Sequence, residues 1–221
     1  MKKLLAAALA LALCACGQGK DETGGKPAPD EPVGKPVTVL AFGDSLFAGY
    51  NLPRAQSYPA RLEQALRGRG LNVHIRNAGV SGDTTGAGRQ RLDFVLDSIA
   101  VKPDLALVEL GANDMLRGLP PAQARQNLDA IMAELARRDI AVVVMGMRAA
   151  PNLGRDYARP FDAIYPDLAD KYDAALVPFF IEPLIRDRSL VQADQVHPTP
   201  EGVDAMVKQS IDTIEDAIED R

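Results

Sequence analysis

Apolar residues follow two alternating patterns along most of the chain. Short runs rich in Val, Leu and Ile are typical of buried strands, and the longer segments between them have apolar residues at helical spacing. The strand-like runs cover residues 37–42, 71–78, 105–110, 140–145 and 174–178. The helical segments cover residues 57–69, 84–100, 121–138, 157–172 and 199–219. This strict alternation predicts an α/β fold, a three-layer α/β/α sandwich around a five-stranded parallel sheet.

The start of the chain departs from this alternation. Two lysines precede an apolar stretch over residues 4–13, which is too short to span a bilayer and is typical of a signal peptide. We therefore expect an export signal over residues 1–15. Residues 16–36 contain many Gly, Pro and charged residues and too few apolar ones to bury a core, so they predict a flexible tether. The globular domain is expected over residues 37–221.

Cysteine occurs only within the segment Leu13-Cys14-Ala15-Cys16-Gly17. This segment resembles the lipobox of bacterial lipoproteins. The resemblance implies cleavage before Cys16, lipidation of Cys16, and an exported protein anchored in the bacterial envelope on the periplasmic side. In a Gram-negative source, Gly17 rather than Asp after the cysteine favours the outer membrane. The alternative is an ordinary cleavage site with cysteines nearby.

Composition narrows the classes of function. The chain has 221 residues, of which 47% are hydrophobic, enough for one domain with a substantial core. Its formal charge is −5 and it has no long run of Lys and Arg, so nucleic acid is not an expected partner. Both cysteines lie near the start and the two histidines lie far from them, so we expect neither a disulfide nor a zinc site in the body of the domain.

Candidate chemistry lies in the loops that follow the first three predicted strands. In a parallel sheet, ligands bind beyond the carboxyl ends of the strands. These loops read GDSLFAG (43–49), GVSGDTT (79–85) and GANDMLRG (111–118). The first presents Ser45 at the end of an apolar strand, where a nucleophile is expected. The alternative is that Asp44 and Ser45 only cap the helix that follows.

A serine nucleophile needs a base, and the base needs a group that orients it. His74 alternates with apolar residues of a predicted strand, so its side chain is expected on the solvent face. His197 lies in a loop before the last helix, with Asp194 three residues upstream. Asp194 can accept the Nδ1 hydrogen and leave Nε2 free to take the proton of Ser45. Taken alone, the Asp-x-x-His spacing is equally consistent with a local hydrogen bond in a turn.

Acyl transfer also requires donors for the oxyanion of the tetrahedral intermediate. The second loop offers the backbone N–H of Gly82, and the third offers the side-chain amide of Asn113. Each has an ordinary structural explanation, since Gly-Asp is common in turns and Asn-Asp in helix caps. Together, the loops supply a nucleophile, two donors, a base and its orienting group.

These residues resemble the four sequence blocks of the SGNH subgroup of GDSL hydrolases, and the resemblance covers the chain from residue 37 to its end. Ser45 matches the serine of GDSL, Gly82 the glycine of SGDT and Asn113 the asparagine of GAND. Asp194 and His197 match the last block. The stretches GDSLFAGYNLP, NAGVSGDTT, LVELGANDMLRG and PNLGRDY resemble the arylesterase, acyl-CoA thioesterase I and lysophospholipase branch.

The resemblance implies a flavodoxin-like fold and a serine esterase. Ser45 would attack an ester or thioester carbonyl, His197 would carry the proton, and Asp194 would hold the imidazole. The backbone N–H groups of Ser45 and Gly82, with the Asn113 side chain, would bind the oxyanion. Water would complete turnover without a metal or cofactor. Expected substrates are aryl esters, short-to-medium acyl esters and lysophospholipids, because an exported enzyme would rarely meet acyl-CoA.

Two questions stay open in the sequence. Met115, Leu116 and Leu119 follow Asn113 and either wall an acyl pocket or pack at the start of the next helix. An O-acetyl esterase acting on an envelope polysaccharide would use the same catalytic residues. A lipoprotein that binds a lipid or glycan without catalysis is a further alternative, although binding has no need of the full catalytic set.

Overall fold

The computed structural model of the protein describes residues 33–220. The expected export signal, Cys16 and all but the last part of the expected tether lie outside the described residues.

Five strands form a single sheet within residues 33–220, and every neighbouring pair is parallel. They are β1 (Val33–Gly43), β2 (Leu71–Asn77), β3 (Leu105–Glu109), β4 (Ala141–Met145) and β5 (Ala175–Val177). Their order across the sheet is β2-β1-β3-β4-β5. Because all strands run the same way, the loops that follow them emerge at one edge of the sheet.

Helices cover both faces of the sheet. They are α1 (Ser45–Ala48), α2 (Tyr58–Gly68), α3 (Thr85–Asp97), α4 (Ala112–Leu116), α5 (Pro121–Arg137), α6 (Arg155–Asp162), α7 (Ile164–Tyr172), α8 (Glu182–Arg186) and α9 (Pro200–Glu219). The chain passes from β1 to β2 towards one edge of the sheet, and the connections from β2 to β3, β3 to β4 and β4 to β5 all pass towards the other edge. Right-handed crossovers therefore place α2 and the later helices α3, α5 and α7 on opposite faces. The helix α9 packs against α2, and α3 packs against α5.

This architecture confirms the predicted α/β sandwich with a five-stranded parallel sheet. Within residues 33–220, no helix is both long enough and apolar enough to cross a membrane.

Two of the predicted elements differ clearly from the structure. Strand β1 starts at Val33 and contains Pro36, whose missing N–H is tolerated because the first part of β1 pairs only with β2, across a register shift. The predicted helix over residues 157–172 is two helices that meet at Ala163. Pro160 and Pro166 each remove a backbone donor from this segment, which prevents a continuous helix.

An aromatic cluster fixes the short helix α1 to the rest of the domain. The Phe47 ring stacks on Tyr58 of α2 with centroids 5.3 Å apart, and Phe180 meets both rings edge-on at 5.8 Å and 4.7 Å. All three side chains are fully buried. The orientation of α1 therefore depends on tertiary packing, since four residues cannot form a stable helix alone.

The loop after β2 packs directly on the backbone of α1 at Gly79. A Cβ atom at this position would lie 2.4 Å from the Ala48 nitrogen and 2.8 Å from the Phe47 carbonyl carbon. Backbone atoms cannot rotate away as a side-chain tip can. Gly79 therefore permits the contact between the first two loops at the sheet edge.

We expect Gly79→Ala to lower the free energy of unfolding by about 1–3 kcal/mol, because the added methyl must displace the α1 backbone. Urea denaturation would measure this change. The control is Gly68→Ala at the end of α2, where an added Cβ meets no atom within 4 Å. That variant should be unchanged or stabilised by up to about 1 kcal/mol. Equal effects of the two substitutions would contradict the close approach.

Candidate active site

The turn at the end of β1 places Ser45 as the first residue of α1. Asp44 is the N-cap of this helix, and its carboxylate accepts a hydrogen bond of 3.1 Å from the Leu46 backbone N–H. The capping explanation thus holds for Asp44. The Ser45 hydroxyl lies 3.5 Å from the Asp44 carboxylate, at the limit of a hydrogen bond, and has a much closer partner.

That partner is the imidazole of His197. Its Nε2 lies 2.9 Å from Ser45 Oγ, and its Nδ1 lies 2.7 Å from Asp194 Oδ2. With the proton on Nδ1 donated to Asp194, the Nε2 lone pair accepts the hydroxyl proton of Ser45. The structure therefore brings these three predicted residues into one continuous chain of contacts.

Asp194 is held by the turn that it shares with His197. Its Oδ1 accepts the backbone N–H groups of Val196 and His197, each at 3.0 Å. Gln195 closes this turn with a φ of 64°. The backbone hydrogen bond from His197, its side-chain hydrogen bond and the one from Val196 lower the pKa of Asp194 to about 2. Asp194 is therefore an anion at neutral pH.

Two residues that the sequence analysis missed support the imidazole. The Tyr50 ring stacks on His197 with centroids 4.2 Å apart. Gln192 donates from its side chain to the Tyr50 carbonyl at 3.0 Å and to the Pro198 carbonyl at 2.8 Å. Tyr50 ends the recognisable GDSLFAGY segment, but nothing in that segment shows that it meets a loop 142 residues away in sequence.

Asn113 lies beside the same turn. From α4, its Nδ2 donates a hydrogen bond of 2.9 Å to Asp44 Oδ2. Gly82 has a left-handed φ of 87°, and its carbonyl accepts a 2.7 Å hydrogen bond from the Arg117 guanidinium. Asn113 lines the cleft beside Ser45 and His197, whereas Gly82 is not among the residues that line it.

Buried polar contacts connect the second and third loops. The Asp114 carboxylate is 1% exposed and accepts the backbone N–H of Thr85 at 2.7 Å and its hydroxyl at 2.6 Å. Arg91 pairs with Asp83 at 2.6 Å and donates to the Gly43 carbonyl at 3.0 Å. These contacts hold the loops that carry Gly82 and Asn113 against the end of β1.

An apolar cleft of about 470 Å³ opens next to Ser45. Met115 and Leu116, two of the three candidate pocket residues, line it from α4, and Met147 lies among its walls. Leu119 is half-buried and does not line the cleft. Three further lining residues come from α8 and the position before it: Ile181, Leu184 and Ile185. The sequence analysis missed them because so short a helix has no periodic pattern.

Within the described part of the chain, no group of three or more His, Cys, Asp or Glu side chains is placed to hold a metal ion. His197, Asp194 behind it and the buried Asp44 lie beside Ser45, and Arg188 lines the same cleft.

Comparison with known proteins places this geometry in a family. The model of the GDSL-like lipase/acylhydrolase family matches residues 41–205. The arylesterase of Vibrio mimicus is 43% identical over 163 residues, which are 74% of this chain and 80% of that protein. The thioesterase 1/protease 1/lysophospholipase L1 of Escherichia coli (strain K12) is 37% identical over 176 residues, 78% and 82% of the two chains.

Similarity to a solved structure gives the same result. The crystal structure of AlinE4, an SGNH-hydrolase family esterase, is 59% identical with a TM-score of 0.72, covering 84% of this chain and 98% of that one. The segment matched by the family model runs from β1 into α9 and so contains Ser45, Asn113 and His197. The chain belongs to the GDSL-like lipase/acylhydrolase family and is a carboxylic ester hydrolase.

Proposed function

We propose that this hydrolase cleaves carboxylic esters with Ser45 as nucleophile, His197 as general base and acid, and Asp194 as the group that orients the imidazole. The observation that carries the proposal is the chain of contacts from Asp194 Oδ2 to His197 Nδ1 at 2.7 Å and from His197 Nε2 to Ser45 Oγ at 2.9 Å. A serine, a base in reach and an anion behind the base are what nucleophilic acyl transfer requires.

The reaction has two steps. Ser45 Oγ attacks the acyl carbon while His197 Nε2 takes its proton, and the same proton passes to the departing alcohol or phenol. Water then attacks the acyl-enzyme, with His197 again accepting and returning a proton. The anion of Asp194 stabilises the imidazolium that forms in both steps.

The oxyanion would be bound by the backbone N–H of Ser45, the N–H of Gly82 and the amide of Asn113. The N–H of Ser45 has no acceptor within its helix because Ser45 is the first residue of α1. A primary amide carries two N–H groups, and Asn113 donates one of them to Asp44, so the second is available. The left-handed backbone of Gly82 suits a residue whose N–H must face a substrate.

The cleft favours an acyl chain as the substrate group beside Ser45. Most of the residues that line it are apolar (Met, Leu, Ile, Val and Ala), and its 470 Å³ is far larger than an acetyl group needs. We therefore propose short-to-medium acyl esters, aryl esters and lysophospholipids as substrates, ahead of acetylated polysaccharide. The activities named for the relatives from Vibrio mimicus and Escherichia coli support this range.

We further propose that the mature protein is a lipoprotein anchored through Cys16, on the periplasmic side of the bacterial envelope. The support is the segment around Cys16 and the Gly- and Pro-rich residues that follow it. An anchor of this kind would hold the hydrolase near membrane lipids, among which lysophospholipids are candidate substrates.

The nucleophile and base can be tested with p-nitrophenyl esters from acetyl to palmitoyl. Ser45→Ala and His197→Ala should each lower kcat by at least about 10³-fold, because each removes a reacting group. The matched control is His74→Ala, since the other histidine of the chain is exposed on β2 and should be dispensable. Rates that peak above acetyl would support the acyl cleft, and a strict acetyl preference would favour the polysaccharide substrate.

The lowered pKa of Asp194 predicts how acid affects stability. A folded pKa of about 2, below the unfolded value of 3.8, means that the ionised carboxylate stabilises the fold above about pH 4. This contribution is lost as pH falls towards 2. Urea denaturation of wild type and Asp194→Asn should therefore show a stability difference at pH 7 that shrinks between about pH 4 and pH 2. A difference that stays constant or grows on acidification would contradict the assignment.

The lipid anchor predicts that cells expressing the full chain incorporate radiolabelled palmitate into it. Cys16→Ser should abolish the label and leave the uncleaved precursor, because the lipobox resemblance makes Cys16 the modified residue. Cys14→Ser is the matched control and should retain the label. A label that depends on Cys14, or no label in wild type, would exclude lipidation of Cys16.

A further inference from the structure

Glu109 is a fully buried carboxyl group for which the reaction described above has no use. It is the last residue of β3 and lies opposite Gly43 in the pairing of β3 with β1. A Cβ atom at Gly43 would lie 2.7 Å from the Glu109 Oε2 atom. The missing side chain at Gly43 thus provides the space that the Glu109 carboxyl fills.

The Glu109 carboxyl contacts the backbone of Asp44. Its Oε2 accepts a 3.1 Å hydrogen bond from the Asp44 backbone N–H. Among the described residues, no donor reaches the Glu109 Oε1 atom. The hydrogen bond from the Asp44 N–H is therefore the contact that connects Glu109 to the turn.

The surroundings of Glu109 disfavour its ionised form. Burial and the charge of Asp44 raise the pKa of Glu109 well above its usual range. Burial also raises the pKa of Asp44, although the hydrogen bonds from Leu46 and Asn113 oppose this shift. The other titratable groups that face Glu109 are the buried phenols of Tyr58 and Tyr165, which supply no positive charge.

Asp44 connects Glu109 to the residues around Ser45. Its carboxylate is 1% exposed and accepts hydrogen bonds from the Leu46 backbone and from Asn113 Nδ2. Because the Asp44 carboxylate accepts from Asn113 Nδ2, this hydrogen bond determines which end of the Asn113 amide faces Ser45. If the Asp44 carboxylate rotates, both the helix cap and the direction of the amide change.

We propose that Glu109 is a positioning residue of the ester hydrolase. Its carboxyl holds the Asp44 backbone in place and thereby directs the second N–H of Asn113 towards the oxyanion. This role rests on the proposed function of Asn113. A donor aimed at the oxyanion is used mainly in the transition state, so losing its alignment lowers kcat and leaves KM nearly unchanged.

Two substitutions of similar size separate this role from simple packing. Glu109→Gln is neutral and keeps an oxygen that can accept from the Asp44 N–H, so kcat should stay within about threefold of wild type. Glu109→Met keeps the length of the side chain and removes the hydrogen bond to the Asp44 N–H. We expect it to lower kcat for a p-nitrophenyl ester by about 10–100-fold, less than complete loss of an oxyanion donor.

A double-mutant cycle with Asn113→Ala tests the route of the effect. Asn113→Ala alone should lower kcat by about 10²–10³-fold while the protein stays folded. In that background, Glu109→Met should cost less than about threefold, because the donor that it positions is gone. Ser210→Ala is the control, since it removes a fully buried hydroxyl that contacts Tyr58 and should reduce stability without lowering kcat.

The outcomes are distinct. Wild-type kcat in folded Glu109→Met, or full multiplication of the two effects in the cycle, would overturn the positioning role. A loss of more than about tenfold in folded Glu109→Gln would also overturn it, and this variant decides the question if Glu109→Met fails to fold. Absence of Ser45-dependent turnover in wild type would instead remove the proposed function itself, and the positioning role with it.

Discussion

The buried carboxylate of Asp44 is the group on which the first and third loops converge. It caps α1 through the Leu46 N–H and accepts from Asn113, while its own backbone N–H donates to Glu109. A polar group at 1% exposure is stable only if hydrogen-bond partners surround it, so each of these partners must remain in place. The position of Ser45, one residue later in the chain, depends on this arrangement.

Close backbone packing around the same turn also fixes the position of α1. Gly43 leaves room for a carboxyl group, and Gly79 lets the second loop rest on the backbone of α1. The stacked rings of Phe47 and Tyr58 hold α1 from the other side. A helix of four residues, which has little stability of its own, is thereby fixed closely enough to hold the Ser45 hydroxyl beside the His197 imidazole.

The imidazole of His197 reaches Ser45 from the far end of the chain. His197 precedes α9, and 152 residues separate it from Ser45. Its imidazole is held by Asp194 within its own turn and by Tyr50 from the first loop. One of these supports is local in sequence and the other is not. Loss of either would leave the Nε2 atom less well directed at the Ser45 hydroxyl.

The sequence by itself determined the parallel α/β sheet, because its alternating apolar patterns are local and periodic. It also pointed to Ser45, Asp194 and His197, because their chemistry and their places at loop starts are visible without coordinates. Two predicted elements were wrong in their extent. The helix over residues 157–172 is divided because Pro160 and Pro166 lack backbone donors, and the first strand starts before Pro36 because this segment pairs with β2.

Only the tertiary structure decided which distant side chains support those residues. Glu109 reads in the sequence as the polar end of an apolar strand, and nothing local shows that Gly43 leaves space for it. Tyr50, Gln192 and the α8 wall of the cleft were likewise invisible, since their contacts cross long stretches of chain. Hydrogen bonds and packing between loops depend on distances in space, and sequence spacing carries those distances only within a single helix, strand or turn.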